Sequence, residues 1–338
     1  TVGKQIMFFF ISLVTFIFII FTRNKLFDNS AALLYSISIF LLIGLFIFGV
    51  ERGGAKSWYA IGPFSFQPSE LAKFGTALFL SKFLSIIQTD LKRSRDILIV
   101  LIIIIIPLIL TTVQPDPGSA LIFLAFIFPI IREGLNLNYF YFGLFIISTL
   151  VATLKFNFII TSAILIIFFF TYIFYLRNKK NRISLFKLLF SFFLLISISF
   201  STNYLFENIL EQRHRDRINL VLGKEVDTSG IGYNINQSKI AISNGGLFGT
   251  GFLEGTQTKG NFVPRQHTDF IFSTIGEEWG FIGTFGTILL FSTFIIRIII
   301  RADKQPNHFR RIYSYCFASL IFFHFFINIG MSIGLIPS

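Results

Sequence analysis

Five stretches of the chain, residues 5–22, 31–50, 97–113, 156–176 and 279–296, carry no charged side chain. Each reaches the ~17–25 residues that a helix needs to cross the hydrocarbon core of a bilayer. Several such stretches in 338 residues leave little room for a soluble core. With 54% hydrophobic and only 14% charged residues, and a mean hydropathy of +0.74, the composition fits no soluble globular class. The 48 phenylalanines are set aside as a compositional bias. A formal charge of +12 would suit a nucleic-acid face on a soluble domain. Here the Lys and Arg residues sit between apolar runs, which points to membrane orientation and to no nucleic acid.

The expected fold is an all-α polytopic membrane protein. About ten transmembrane helices are predicted, at 5–22, 31–50, 70–87, 97–113, 118–131, 138–154, 157–176, 185–204, 269–296 and 312–335. Residues 1–204 read as membrane helices with short loops, 205–268 as a large extracytoplasmic loop and 269–338 as membrane helices again. Gln114-Pro115-Asp116-Pro117 forbids a straight helix and reads as a tight reversal. Cations cluster in alternate loops: Arg23 and Lys25; Lys92, Arg93 and Arg95; Arg132; Arg177, Lys179, Lys180 and Arg182; Arg297, Arg301, Lys304, Arg310 and Arg311. The positive-inside rule makes these loops cytoplasmic and places residues 51–69, 114–117 and 205–268 outside. Within the last segment, Asn236–Ile242 reads as a short amphipathic helix on the membrane surface.

A single cysteine, Cys316, excludes an internal disulfide and a Cys-rich zinc site. His214, His267, His308 and His324 are too scattered for a helix-borne metal pair. The first apolar run is long enough to span and lacks a small-residue cleavage site, so no cleavable signal peptide is expected.

Polar motifs interrupt the apolar pattern at a few places. Gln67-Pro68-Ser69-Glu70-Leu71-Ala72-Lys73 follows Trp58 and the turn Gly62-Pro63. It reads locally as an N-cap at Ser69, an acid in the first helical turn and an i,i+3 ion pair. The alternative is a polar substrate cleft, since a charged pair at the end of a span must face protein or water. Asp116 is either a turn-former or part of the same cavity. Gly245, Gly246, Gly249, Gly251 and Gly255 superficially suggest a phosphate loop, but they match neither nucleotide fingerprint and follow no strand pattern. A close-approach loop remains. In Pro264-Arg265-Gln266-His267-Thr268-Asp269-Phe270, Asp269 either complements the start of a helix or serves as a carboxylate base. If that helix ran on unbroken through 296, Asp269 would lie ~15 Å outside the core boundary.

Five strings occur in order over nearly the whole chain: WYAIGPFSFQPSELAK (58–73), QPDPGS (114–119), QSKIAISNGGLFGTGFLEGTQ (237–257), HTDFIFSTIGEEWG (267–280) and NIGMSIGLIP (328–337). Together they resemble the SEDS family of cell-wall glycan polymerases. The spellings Gly255-Thr256-Gln257 and Asn328-Ile329-Gly330-Met331 resemble its RodA branch more than FtsW. The resemblance implies an inverting peptidoglycan glycosyltransferase that joins lipid II into β-1,4 glycan strands, at the outer side of the bacterial cytoplasmic membrane. It also implies a class B penicillin-binding protein as partner and a divalent cation, Mg or Mn, as cofactor. By the same resemblance Asp269 is the general base. Glu70, Lys73, Trp58, Gln114, Asp116, Gln257, His267 and Thr268 are substrate-binding candidates, with Lys73, oriented by Glu70, helping the anionic leaving group. A lipid II flippase is the competing reading, and a non-catalytic scaffold a third. Against the family pattern, the sequence reads as beginning at the second span and stopping before the last one, with an additional hairpin around 138–176.

Overall fold

The computed structural model describes residues 2–22, 24–52, 55–62, 64–86, 89–178, 185–210, 212–224, 231–263 and 266–336. The charge-free runs become helices because a backbone without water must bond to itself. In chain order the first are α1 (Val2–Phe21), α2 (Asn24–Phe48), α3 (Pro68–Leu84), α4 (Ser94–Val113), α5 (Pro117–Ile122) and α6 (Ile127–Arg132), with a 3-10 turn at Phe123–Phe126 between the last two. They are followed by α7 (Leu137–Asn178), α8 (Leu185–Asn208), α9 (Gln212–Val221), α10 (Ile231–Asn244), α11 (Thr256–Lys259), α12 (Ile271–Asp303) and α13 (His308–Ser332). Among the described residues, six stretches are long and apolar enough to cross a membrane: Lys25–Phe48, Ser94–Val113, Leu137–Phe174, Leu188–Asn208, Ile271–Asp303 and His308–Ser332. Gln5–Phe21 and Pro117–Arg132 are shorter apolar helices. Large side chains such as Phe40, Ile159 and Leu290 remain exposed on these elements, as a lipid-facing surface requires.

The helical expectation needs one correction. Residues between α2 and α3 form a three-stranded antiparallel sheet of β1 (Val50–Arg52), β2 (Ala55–Ile61) and β3 (Phe64–Phe66), in that order. This segment is too short and polar to span, so it satisfies its backbone through ladders and ties itself to α2. Lys56 Nζ donates to the Phe46 carbonyl at 2.9 Å, which satisfies a carbonyl in the last turn of α2, and the Tyr59 hydroxyl donates to the Leu41 carbonyl, further back on the same helix, at 2.9 Å. Burial pushes the Tyr59 hydroxyl above its ordinary pKa.

The chain divides into two compact units, one of Thr1–Leu135 with Phe294–His324, the other of Asn136–Thr293 with Phe325–Ser338. In the first, α2 packs along α3 at Gly75, where an added Cβ would lie 3.2 Å from the Leu34 carbonyl. Ala31, Leu78 and Phe309 form a buried cluster. Polar ties cross it: the Tyr35 hydroxyl donates to the Ile103 carbonyl at 3.0 Å, and Gln114 Nε2 to that of Leu42 at 2.7 Å. Arg311 pairs with Glu133 at 2.9 Å, and Arg132 pairs with Asp303, which also accepts from the Tyr315 hydroxyl. The reversal at 114–117 is observed, since α4 ends at Val113 and α5 begins at Pro117.

In the second unit α7 is two helices joined at Asn157, which has φ 70° and ψ 164°. The Phe145 and Phe168 ring centroids lie 5.3 Å apart, so the chain folds back on itself there. The two halves pack with α8 through Phe169 and Phe192, stacked at 4.2 Å, and through a buried 2.8 Å bond between Thr153 and Ser199. The segment 205–268 holds α9, α10 and α11, and the surface helix expected at 236–242 runs from Ile231 to Asn244.

Candidate active site

Each unit holds a polar cluster built from the motifs above, beginning in the first unit with α3. Its N-cap is Gln67, with Pro68 in the first turn and no side-chain capping bond, which displaces Ser69 from the predicted cap. Proline lacks an N–H and has its φ preset, so it takes the first helical position and shifts the cap back two residues, from Ser69 to Gln67. Gln67 Nε2 instead donates to Asp116 Oδ2 at 2.8 Å. Asp116 caps α5 by accepting from the Ser119 amide at 3.1 Å, and its other oxygen accepts from the Ser119 hydroxyl at 2.9 Å. The turn-forming role is therefore real, and the same carboxylate ties the start of α3 to the start of α5.

One helical turn on, Lys73 is buried with only 4% of its side chain exposed. An ammonium out of water needs partners. Lys73 Nζ donates to Glu70 Oε1 at 2.7 Å and lies 2.8 Å from His324 Nε2. An ammonium only donates, so a charged Lys73 at this distance requires His324 to accept through Nε2. Glu70 is more than half exposed. The cluster thus presents a fixed cation backed by a carboxylate that meets solvent. Gln114, fully buried, uses its amide on α2, and Trp58 sits half-buried in β2 opposite Val50.

In the second unit the expected continuous helix from 269 to 296 is interrupted. Gly280 in α12 has φ 63° and ψ −156°, which breaks the helical ladder. The glycine-rich segment fills the gap in hydrogen bonding. Thr250 and Gly251 amides donate to the Glu277 and Glu278 carbonyls at 2.9 and 3.1 Å. Phe281 and Ile282 amides donate to the Gly246 and Leu247 carbonyls at 2.9 and 3.2 Å. Contact this close excludes side chains: a Cβ on Gly245 would lie 1.9 Å from the Gly276 carbonyl oxygen. Gly245 and Gly249 serve backbone-to-backbone packing, and the Thr250 and Gly251 amides are consumed by α12 rather than offered to a phosphate.

Asp269 lies in the turn just before α12 rather than on the helix. Asn328 Nδ2, from α13, donates to the Asp269 carbonyl at 3.2 Å and to that of Thr268 at 3.4 Å. Phe270, 1% exposed, anchors the turn in a core with Ile235, Ala241 and Val263. The Asp269 side chain is partly exposed, and His267 and Thr268 are exposed beside it. A rigid main chain carrying a solvent-reaching carboxylate suits proton transfer to or from a bound hydroxyl. Gln257 is half-buried on α11, its amide N–H held by Glu277.

The structure thus joins Glu70 with Lys73 in one unit, with Asp116 tied to Gln67 there, and places Asp269, His267, Thr268 and Gln257 in the other. Reading the sequence missed His324, Gln67 and Asn328 as partners of these groups, and it missed Glu277, which is fully buried. Only the repeated acid in Gly276-Glu277-Glu278 hinted at the last. Among the described residues no three His, Cys, Asp or Glu side chains gather to hold a metal.

The profile of the FtsW, RodA and SpoVE cell cycle proteins matches residues 1–186 and 141–338. The peptidoglycan glycosyltransferase MrdB of Escherichia coli is 30% identical over 316 residues, spanning 93% of this chain and 71% of that protein. The peptidoglycan glycosyltransferase RodA of Treponema pallidum is 30% identical over 344 residues, spanning 92% and 76%. Among solved structures, a chain from a peptidoglycan synthase complex that coordinates polymerization and crosslinking superposes with a TM-score of 0.66. It is 25% identical, with 94% of this chain and 74% of that one covered. RodA of Thermus thermophilus, at 23% identity, shares the fold with a TM-score of 0.56 over 96% of this chain and 73% of that one. With profile matches that together span every residue and 30% identity over nine-tenths of the chain, this protein belongs to the FtsW/RodA/SpoVE family, the SEDS proteins.

Proposed function

We propose that this chain polymerises lipid II on the outer side of the cytoplasmic membrane as a RodA-branch enzyme, with Asp269 as general base. It is a peptidoglycan glycosyltransferase by family, and the finer assignment rests on the Asp269 turn. There Asn328 and the Phe270 core hold the main chain while the carboxylate reaches solvent. Asp269 takes the proton of the acceptor's 4-hydroxyl as that oxygen attacks the donor's anomeric carbon, and the bond to pyrophosphate breaks on the opposite face. Lys73, its ammonium fixed by Glu70 and His324, is assigned to the anionic pyrophosphate. Trp58, Gln114, Asp116, Gln257, His267 and Thr268 are assigned to substrate binding. Mg or Mn enters only as a companion of the pyrophosphate, and no step runs through it. The partner is a class B penicillin-binding protein that crosslinks the product. The Gly255-Thr256-Gln257 and Asn328–Met331 spellings support RodA over FtsW.

Ten membrane passes follow if α1, α3, the α5–α6 segment and both halves of α7 each cross, and this count places segment 205–268 outside. Single cysteines at Lys179 and Lys259 in a Cys316→Ala background test the topology with an impermeant thiol reagent on intact cells. Residues 179–184 lie outside the described residues, so the reagent tests that loop directly. Labelling at 259 and protection at 179 are expected. The reverse pattern would remove the mechanism.

The activity itself is tested with full-length protein, its class B partner and purified lipid II in detergent. Long glycan strands are expected. Detergent abolishes the two-sided compartment, so a flippase has nothing to do there. If no strands form while the same protein moves lipid II across sealed vesicles, the flippase reading replaces this one.

A further inference from the structure

We propose that Glu277 is a positioning residue for Asp269, clamping α11 and, through Gln266, the main chain that presents the base. The inference rests on Asp269 being that base. Glu277 is fully buried, and both carboxylate oxygens are used. Oε1 accepts from the Gln257 amide at 2.8 Å and the Thr256 hydroxyl at 3.3 Å, and Oε2 from the Thr258 amide at 2.9 Å. Three donors converge on one side chain because α11, a single turn, has no stability of its own and leaves its first amides unpaired. The carboxylate satisfies those amides and complements the positive end of the turn.

The adjoining glycine has the same cause. A Cβ on Gly255 would stand 2.6 Å from Glu277 Oε2, so the carboxylate reaches the amides only past a residue without a side chain.

The clamp extends towards Asp269 by a second link. Gln266, 7% exposed, donates through Nε2 to the Thr258 carbonyl at 3.0 Å and to Asn261 Oδ1 at 3.1 Å. Its own carbonyl accepts from the Thr274 hydroxyl at 3.4 Å. Three residues later comes Asp269, whose carbonyl Asn328 holds from the other side. Glu277 therefore anchors the start of a chain segment whose end carries the base, and both ends attach to α12. A glutamine at 277 keeps one acceptor and turns an NH2 against an amide N–H, so it releases at least one of the clamped donors.

The test compares Glu277→Gln, Gln266→Leu, their double variant and Asp269→Asn in full-length protein with its class B partner. The readouts are kcat and KM for lipid II, and thermal stability in detergent. Glu277→Gln is expected to lower kcat by ~10- to 100-fold, the cost of a reacting group misplaced by ~1 Å, with KM nearly unchanged. Gln266→Leu should give a similar loss. The double variant should fall no further than the worse single variant, because both act on one path.

Multiplying losses that track a falling melting temperature would reduce Glu277 to a fold-stability role and overturn the proposal. If Glu277→Gln does not fold, Gln266→Leu decides alone, since it leaves every Glu277 contact in place, and an unchanged kcat would overturn the clamp. Activity retained by Asp269→Asn would instead remove the base assignment. A dead Asp269→Asn beside a fully active Glu277→Gln would remove only the clamp.

Discussion

Asp269→Asn is expected to abolish detectable strand formation, a loss of ~10²- to 10⁴-fold or more, while lipid II binding and thermal stability stay close to those of the parent. Asparagine matches aspartate in size. The bonds from Asn328 to the Asp269 and Thr268 carbonyls run to the main chain and survive the substitution. What disappears is the proton acceptor. A drop confined to kcat, with the KM for lipid II preserved, identifies an interaction made in the transition state. A well-expressed Asp269→Asn protein that polymerises at a near-normal rate would eliminate this residue as the base and return it to a turn-forming role.

Gly249→Val should have the largest effect on folding. Gly249 has φ +85°, a region L side chains rarely occupy, and an added Cβ would lie 2.1 Å from the Glu278 carbonyl oxygen. Both sides of that contact are backbone, so neither can rotate away. Strain and clash together cost on the order of 3 kcal/mol or more. A fall of about 5–10 °C in the melting temperature, or loss of folded protein, is the expected outcome. Gly286 supplies the control. It lies on the same α12, nothing stands within 4 Å of its would-be Cβ, and its backbone is not left-handed. Gly286→Ala should leave the melting temperature unchanged or raise it slightly, as helix propensity predicts. Equal destabilisation at both positions would show that the loop does not depend on this close approach.

The long apolar helices were legible in the sequence, because a charge-free run of sufficient length has few alternatives in lipid, and six stretches among the described residues are long and apolar enough to cross. The reversals at 114–117 and near 155–157 followed from prolines and a short polar interruption. The sheet at 50–66 was not legible, since strands of three to seven residues carry too few alternations to stand out beside helices of twenty. The break at Gly280 escaped notice for another reason. A lone glycine in an apolar run reads as tolerated, and what makes it a break is a loop about thirty residues upstream. The i,i+3 pair of Glu70 and Lys73 is local and was foreseen. Its third member, His324, lies 251 residues away from Lys73, and nothing short-range announces it. Glu277 looked like any acid near a helix start until its burial and its three donors were seen together.

The broken α12 also constrains the order in which the protein can be made. Its unpaired groups around Gly280 need residues 246–251, and synthesis runs from the N-terminus, so those residues leave the ribosome before the break exists. The nascent chain therefore carries the missing partner already when the second half of α12 is threaded into lipid, and the exposed carbonyls and amides need not wait for later helices. A circular permutation that moved 246–251 behind α12 would keep every contact of the finished protein and lose this advantage, leaving an interrupted helix with nothing yet synthesised to complete it.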